Sequence, residues 1–440
     1  MRFRTGSGAA RRVLAIAAVA AIAATAGCGG NEEGGGTAAS SAPPQNVTLR
    51  FNFWGNADRA DLTNKAVAKF SEKYPHIKVE TSFAEFGAYF TKLATEISGG
   101  NAPDVLQMDF RYLREYGERR QLAELNKGGV NVNVDEISDS LLTSGKIGGK
   151  LYAIPVGQNT QIFSYDAAQW KAAGATLPTE NWTWDDLKAS AQKVSDFTKG
   201  AVRGINDPGG IEDWFEVKLR QDGKLLYTDE GKLGYTAKEV ADWWTLTDGW
   251  RKSGATTLAE QTSKADGSLA NDPVAKKQAS SGFGYDSGLT AKSWELLGRE
   301  MTIHNFPSNK ADTLGQYAKP AMQFAVSEKS THKKEAAQLI DFIINDPDAA
   351  QILGMSRGLP VNQKNQEAVG AKLTGPPAAG YAFEKKIAPR LKDAPPPPPK
   401  GSGTVKIAFQ RIYDDVIFGR KTPQAAADAF MTEAKQTLGQ

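Results

Sequence analysis

Trp54, Asn56, Glu85 and Asp109 stand beside the ends of predicted strands early in the chain, and Asp213, Trp214 and Tyr285 recur in the same setting farther on. An aromatic ring offers a flat apolar face. A carboxylate can accept two hydroxyl hydrogen bonds at once and make them charge-assisted. Rings and acids that converge on one cleft suit a pyranose, which has a flat face of C–H bonds and a rim of hydroxyls. Trp54, with Asn56 beside it, and Trp214, with Asp213 beside it, are therefore expected to stack on sugar faces from opposite sides of a cleft, and Tyr285 pairs with Trp214. Each position also has a plainer reading, as a core ring or a solvated surface acid.

Five other tryptophans read as packing. Trp182 and Trp184 belong to NWTWDDL, where a helix begins, and Trp243, Trp244 and Trp250 follow the helical pattern AKEVADWWTLTDGW. Other chemistries lack their signatures. The three histidines, His76, His304 and His332, form no HExxH or other ligand spacing. No P-loop is present, so ATP binding lacks its signature. A glycoside hydrolase stays open as a rival, because its mechanism needs only two acids flanking a cleft.

The elements that position these residues are legible in the pattern. VTLRFNFWG (47–55) alternates, ADLTNKAVAKFSEKYP places Leu62, Ala66, Phe70 and Tyr74 at helical spacing, and IKVETSF (77–83) alternates again. A second helical run ends on Gly99 and Gly100, and APDVLQMDF follows as a short buried strand. Repeated strand–helix alternation predicts an α/β chain with a largely parallel sheet, its ligands lying beyond the carboxyl ends of the strands. GGKLYAIPVGQNTQIFSYD (148–166) reads as two apolar runs separated by a break, and APPPPPK (394–400) as a polyproline surface loop. Thr422 and Pro423 read as the N-cap and first residue of a last helix.

The N-terminus has its own chemistry. Arg2, Arg4, Arg11 and Arg12 precede the apolar run VLAIAAVAAIAA, too short for a permanent span, and Cys28 follows Ala26 and Gly27. This resembles the lipobox of bacterial lipoproteins, with Thr25 where that motif has Leu or Val. The resemblance implies a signal peptide over 1–27 and lipidation at Cys28. Residues 28–46, rich in Gly, Ser and Ala, read as a flexible leash with a reach of about 25 Å. Cys28 is the single cysteine, which excludes an internal disulfide and a Cys-rich metal site.

Composition bounds the rest. About 390 residues remain beyond signal and leash, more than one core usually supports, so two lobes are expected. Of 53 basic residues four belong to the signal segment, leaving 49 against 50 acidic ones. A balance this close to neutral gives no electrostatic footprint for nucleic acid.

The ordered series FNFWG, KFSEKYPHIKVE, KLATEISGGNAPDV, QLAEL, GGKLYAIPVGQNTQIFSYD, WTWDDLKASAQKV, AVSEKSTHKKEAAQLIDFI, GLPVN and GRKTPQAAADAF resembles the family 1 extracellular solute-binding proteins of ABC importers. The resemblance runs from residue 47 to 440. It implies a two-lobed type II periplasmic-binding-protein fold with an interlobe ligand cleft, and a hinge crossed near Pro155–Asn159, Met322–Ala325 and Gly358–Pro360. Lobe one would comprise 47–156 and 322–357, and lobe two 158–320 and 360–440. It further implies an extracytoplasmic, membrane-anchored monomer that needs no cofactor. Such a protein captures a sugar by lobe closure, performs no catalysis, and delivers the sugar to an ABC permease. Asn159 falls where relatives place a polar ligand contact, and Arg357 at the last crossing could bridge the lobes or touch ligand. The same fold carrying a non-sugar solute is the remaining alternative.

Overall fold

Alternating side chains in VTLRFNFW bury one edge after another, and this segment forms β1 (Val47–Trp54), parallel to β2 (Ile77–Ala84) from Val47 opposite Ile77 to Trp54 opposite Ala84. A parallel pair needs a crossover. The helix Ala57–Lys73 supplies it and buries Ala60, Thr63, Ala66, Val67 and Phe70, a three-to-four spacing that turns one face inward. Its start is set by Asn56, whose Oδ1 accepts the Arg59 N–H at 3.0 Å. After the helix Phe86–Ser98 the chain enters β3 (Val105–Met108), wholly buried and parallel to β1. The computed structural model describes residues 45–265, 268–286, 288–299 and 301–440. The signal segment, Cys28 and nearly all of the leash lie outside the described residues.

A two-residue pair, β4 (Lys146–Ile147) and β5 (Lys150–Leu151), precedes the longest strand, β6 (Ile154–Tyr165). Later come β7 (Ser281–Tyr285), β8 (Thr302–His304), β9 (Ala318–Val326) and β10 (Leu359–Pro360). The sheet order is β10-β6-β9-β3-β1-β2, with β7 and β8 joined to the far half of β6. Two principal hydrophobic cores flank this arrangement. One gathers Phe51, Phe70, Phe324 and Ile340. The other gathers Phe163, Phe215, Phe409 and Phe430. Trp182, Trp184, Trp243, Trp244 and Trp250 are all buried in the second, as their helical setting predicts. Strand β6 serves both cores, placing Ile154 in the first and Phe163 and Tyr165 in the second.

The passage between cores is tight at one point. A Cβ on Gly157 would lie 1.8 Å from the Arg357 carbonyl oxygen, so only glycine lets β6 and the 357–358 segment meet. Its neighbour Gly358 takes φ +89°, in the left-handed region that other residues avoid. Beyond this crossing the chain does not leave the first core at once. Val361 is part of that core, Asn362 Nδ2 donates to Asn345 Oδ1 at 2.9 Å, and Asn365 Nδ2 to the Ile344 carbonyl at 3.0 Å. The helix Gln363–Gly370 thus stays with residues 333–345, and the chain reaches the second body only with the helix Gly375–Ile387.

The polyproline run is not the surface loop that its composition suggests. Ala394, Pro395, Pro397 and Pro398 are buried. Proline has no backbone N–H, so this segment can be enclosed without stranding donors. Side chains hold carbonyls in and beside it: Arg114 Nε donates to Pro397 at 2.8 Å and Arg220 Nη2 to the preceding Asp393 at 2.6 Å. Ala394 N–H donates to the Ser140 carbonyl at 3.2 Å. The run is a strap that ties residues of the first half (Arg114, Ser140) to Arg220 on the helix Glu212–Gln221. The last helix, Pro423–Leu438, begins as expected, with Thr422 Oγ1 accepting the Ala425 N–H at 3.2 Å.

Candidate functional site

The strap walls one side of a cavity of about 320 Å³ through Pro395, Pro396 and Pro398. Its other walls come from distant parts of the chain. Asp109 arrives from the end of β3, Asn159 from the middle of β6, Lys319 from the start of β9, and Tyr285 from the end of β7. The helix Glu212–Gln221 contributes Glu212, Asp213 and Glu216, and the helix Ser402–Ile417 contributes Lys406.

Asp213 is the centre of the polar network. Lys319 Nζ donates to its Oδ1 at 2.6 Å, the Tyr285 hydroxyl donates to the same oxygen at 2.8 Å, and Lys406 Nζ donates to Oδ2. Lys319 also donates to the Tyr285 hydroxyl oxygen at 2.9 Å and lies 5.0 Å from the centre of that ring. Burial pushes the Asp213 carboxyl up, but the charges of Lys319 and Lys406 outweigh it and hold the group well below the usual carboxylate range. The effect on Lys319 is reciprocal: burial lowers it, and Asp213 more than restores it, leaving the ammonium firmly charged. At the opposite wall Asp109 caps its helix, accepting the Arg111 N–H at 2.9 Å, and pairs with Arg111 Nε at 2.8 Å. Glu216 accepts from the Tyr317 hydroxyl at 2.8 Å, and burial raises its pKa.

Four of the residues singled out in the sequence, Asp109, Asn159, Asp213 and Tyr285, therefore line one cavity. Trp214 lines an adjoining one of about 390 Å³ that shares Asp213, Tyr285 and Lys406 with the first, and its ring lies 5.4 Å from Tyr285. The other four lie elsewhere. Trp54 is 7% exposed and packs among Phe86, Tyr89 and Phe90, at centroid distances of 5.4, 5.5 and 5.6 Å. The helix that follows β2 brings those three rings over it, which makes it a core residue and not a platform. Asn56 is occupied as a helix cap, and Glu85 is exposed at the start of the helix Phe86–Ser98.

Arg357 is buried behind the first core. Its Nη2 donates to Thr63 Oγ1 at 2.7 Å and its guanidinium lies over the Phe53 and Phe324 rings. Burial, and then the charge of Arg59, pull its pKa down to about 9. It joins the crossing segment to the first core and does not reach the cavity.

Several cavity residues escaped the sequence reading, among them Lys319, Lys406 and Glu212. Lys319 and Lys406 carry the commonest surface side chain, and nothing local marks either as turned inward. Glu212 was visible only as a neighbour of Asp213. At the crossing itself, Thr160 N–H donates to Asp286 Oδ1 at 2.8 Å, while Gln158 and Thr160 side chains donate to Glu384 at 2.9 and 3.2 Å. Burial pushes both carboxyls up; the Glu384 carboxylate raises Asp286 further, while hydrogen bonds from Asp286, Gln158 and Thr160 partly offset the rise at Glu384.

With this geometry in view, the profile of the bacterial extracellular solute-binding proteins matches residues 65–379. An uncharacterized lipoprotein of Streptomyces antibioticus is 23% identical over 394 residues, covering 83% of this chain and 82% of its own. A diacetylchitobiose-binding protein of Streptomyces coelicolor is 22% identical over 383 residues, covering 84% and 85%. Among solved structures, a family 1 extracellular solute-binding protein of Alicyclobacillus acidocaldarius superposes with a TM-score of 0.76 at 29% identity, over 91% of this chain and 100% of that one.

Proposed function

The chain belongs to the bacterial extracellular solute-binding proteins, and from that premise we propose that it captures a sugar or oligosaccharide in the Asp213 cavity and passes it unchanged to an ABC permease. The observation that carries the reading is the convergence of Asp109, Asn159, Asp213, Tyr285 and Lys319 from separate strands and helices on one cavity. Fixed acids, amides and phenols around such a space offer hydroxyl partners on several sides. The diacetylchitobiose-binding relative supports a carbohydrate cargo. Lobe closure is part of the same proposal, with 47–156 and 322–370 forming one lobe, 158–320 and 375–440 the other, and β6 as one of the linking strands. Contacts made by both lobes would favour the closed form by their differential affinity.

A thermal-shift screen of mono- and oligosaccharides on residues 29–440 tests the cargo. At a hundred times the dissociation constant a true ligand adds about 2.7 kcal/mol and raises the midpoint. Ligand recovered after long incubation is expected to have unchanged mass, and cleavage products would identify a hydrolase instead. If no carbohydrate shifts the midpoint while a peptide or polyamine does, the cargo is a different solute.

The same proposal places the protein outside the cytoplasmic membrane as a monomer, tethered through a lipid on Cys28. The Streptomyces antibioticus lipoprotein supports the anchor. Among the described residues no helix is long and apolar enough to cross a membrane. Cys28→Ser is expected to release the protein into the soluble fraction, and a variant still held by membranes would rule the anchor out.

A further inference from the structure

Beneath the Asp213 network lies a second polar group that the ion pairs do not use. Glu212 is 5% exposed, Tyr227 6% and Tyr235 5%. Glu212 Oε1 and both phenol hydroxyls have no hydrogen-bond partner among the described residues. Glu212 and Tyr227 line the cavity. Buried polar atoms are nearly always paired, so the two unpaired ones on cavity-lining Glu212 and Tyr227 point to a partner that arrives with the ligand. Resting on the carbohydrate reading above, we infer that Glu212 and Tyr227 form a hydroxyl-reading floor in which the Glu212 carboxyl engages one ligand hydroxyl and the Tyr227 phenol its neighbour. The chemical class that fits is an uncharged sugar carrying adjacent hydroxyls.

The charge state follows from the surroundings. Burial raises the Glu212 pKa to about 8. On its own helix Asp213 and Glu216 push the same way, and Lys406 and Lys319, from the helix Ser402–Ile417 and β9, push back without prevailing. Tyr227 and Tyr235, on the turn after the helix Glu212–Gln221, are held well above the usual phenol range by burial and then by the Glu212 carboxyl. They stay protonated across the window in which Glu212 titrates. Asp213 stays charged there, because its pKa is depressed, and Lys319 stays charged because its pKa is raised. A neutral carboxyl donates and accepts, whereas a carboxylate only accepts. Ionisation therefore removes the donor that the site presents.

The test is calorimetric affinity for glucose, maltose and diacetylchitobiose from pH 6 to 9. Only the protonated fraction is competent, so the dissociation constant for a bound probe should be flat at pH 6–7 and about tenfold weaker at pH 9. Glu212→Gln keeps a donor that does not titrate, and its affinity should be level to pH 9. Glu212→Ala should bind weakly throughout, and its ligand-free melting temperature and circular dichroism report whether it still folds. Glu216→Gln should retain the step, which assigns the step to Glu212. A bound probe whose pH profile is identical in the wild type and Glu212→Gln overturns this inference and leaves the carbohydrate reading standing. Absence of binding by all three probes together with the whole sugar screen overturns both.

Discussion

Asp213→Ala is expected to lose about 3 kcal/mol of folding stability, and sugar affinity should fall about ten- to a hundredfold. The carboxylate neutralises two ammonium groups at once and accepts from Tyr285. Removing it strands Lys319, whose side chain is largely enclosed, beside Lys406 of like charge. Breaking a buried pair costs roughly 3–5 kcal/mol, because the surviving charge remains desolvated. The lower end applies because the Lys406 side chain is 40% exposed and can recover water. Asp213→Asn keeps the shape and one acceptor, and should fall between the wild type and the alanine variant.

The pH dependence distinguishes this account from a packing defect. The folded pKa of Asp213 lies below its unfolded value, so its stabilisation is present above about pH 3.9 and is lost as pH falls through the folded pKa. Denaturant titrations of wild type and variant should therefore differ most near neutrality and approach one another in acid. A constant gap from pH 7 to pH 3 would show that the ion pairs contribute nothing.

The parts of the fold legible in the sequence are those set by local period. VTLRFNFW alternates, Ala66 and Phe70 repeat at helical spacing, Asn56 stands at a cap position, and β1, the first helix and β2 appear where that pattern puts them. Asp109 is readable as a residue at the strand's carboxyl end for a related reason, since an acid directly after a short buried run must emerge there, and it lines the cavity. Lys319 and Lys406 were not, since their placement depends on Asp213, which is 106 and 193 residues away in sequence. A Lys on a helix face carries no mark of a partner that distant. The five prolines misled in the opposite direction. Their composition reads as solvated spacer, yet a segment without donors is unusually easy to enclose, and Arg114 and Arg220 satisfy the carbonyls of Pro397 and Asp393.

Trp54 shows where a local reading fails, and it carries the other large effect. Trp54→Ala is expected to cost about 3–5 kcal/mol of stability while leaving the affinity of the folded fraction unchanged. The signal was in the sequence: Phe86, Tyr89 and Phe90 have the three-and-four spacing of one helix face, and a helix following β2 must lie back across the sheet, over the end of β1. Rings at 5.4 to 5.6 Å on three sides leave no free indole face for a sugar. The carbonyl of Trp54 is also engaged, accepting from Gln107 Nε2 at 3.3 Å and from Arg59 Nη1 at 3.4 Å, so the backbone cannot readily shift to fill the space. Trp54→Phe keeps most of the aromatic volume and should lose roughly half as much as alanine, since the penalty follows the cavity left behind. Ligand-free melting and calorimetric affinity measured on the same two variants separate the roles. A melting temperature equal to wild type, combined with a tenfold loss of affinity, would return Trp54 to the ligand and show that the Phe86–Phe90 face opens when sugar binds.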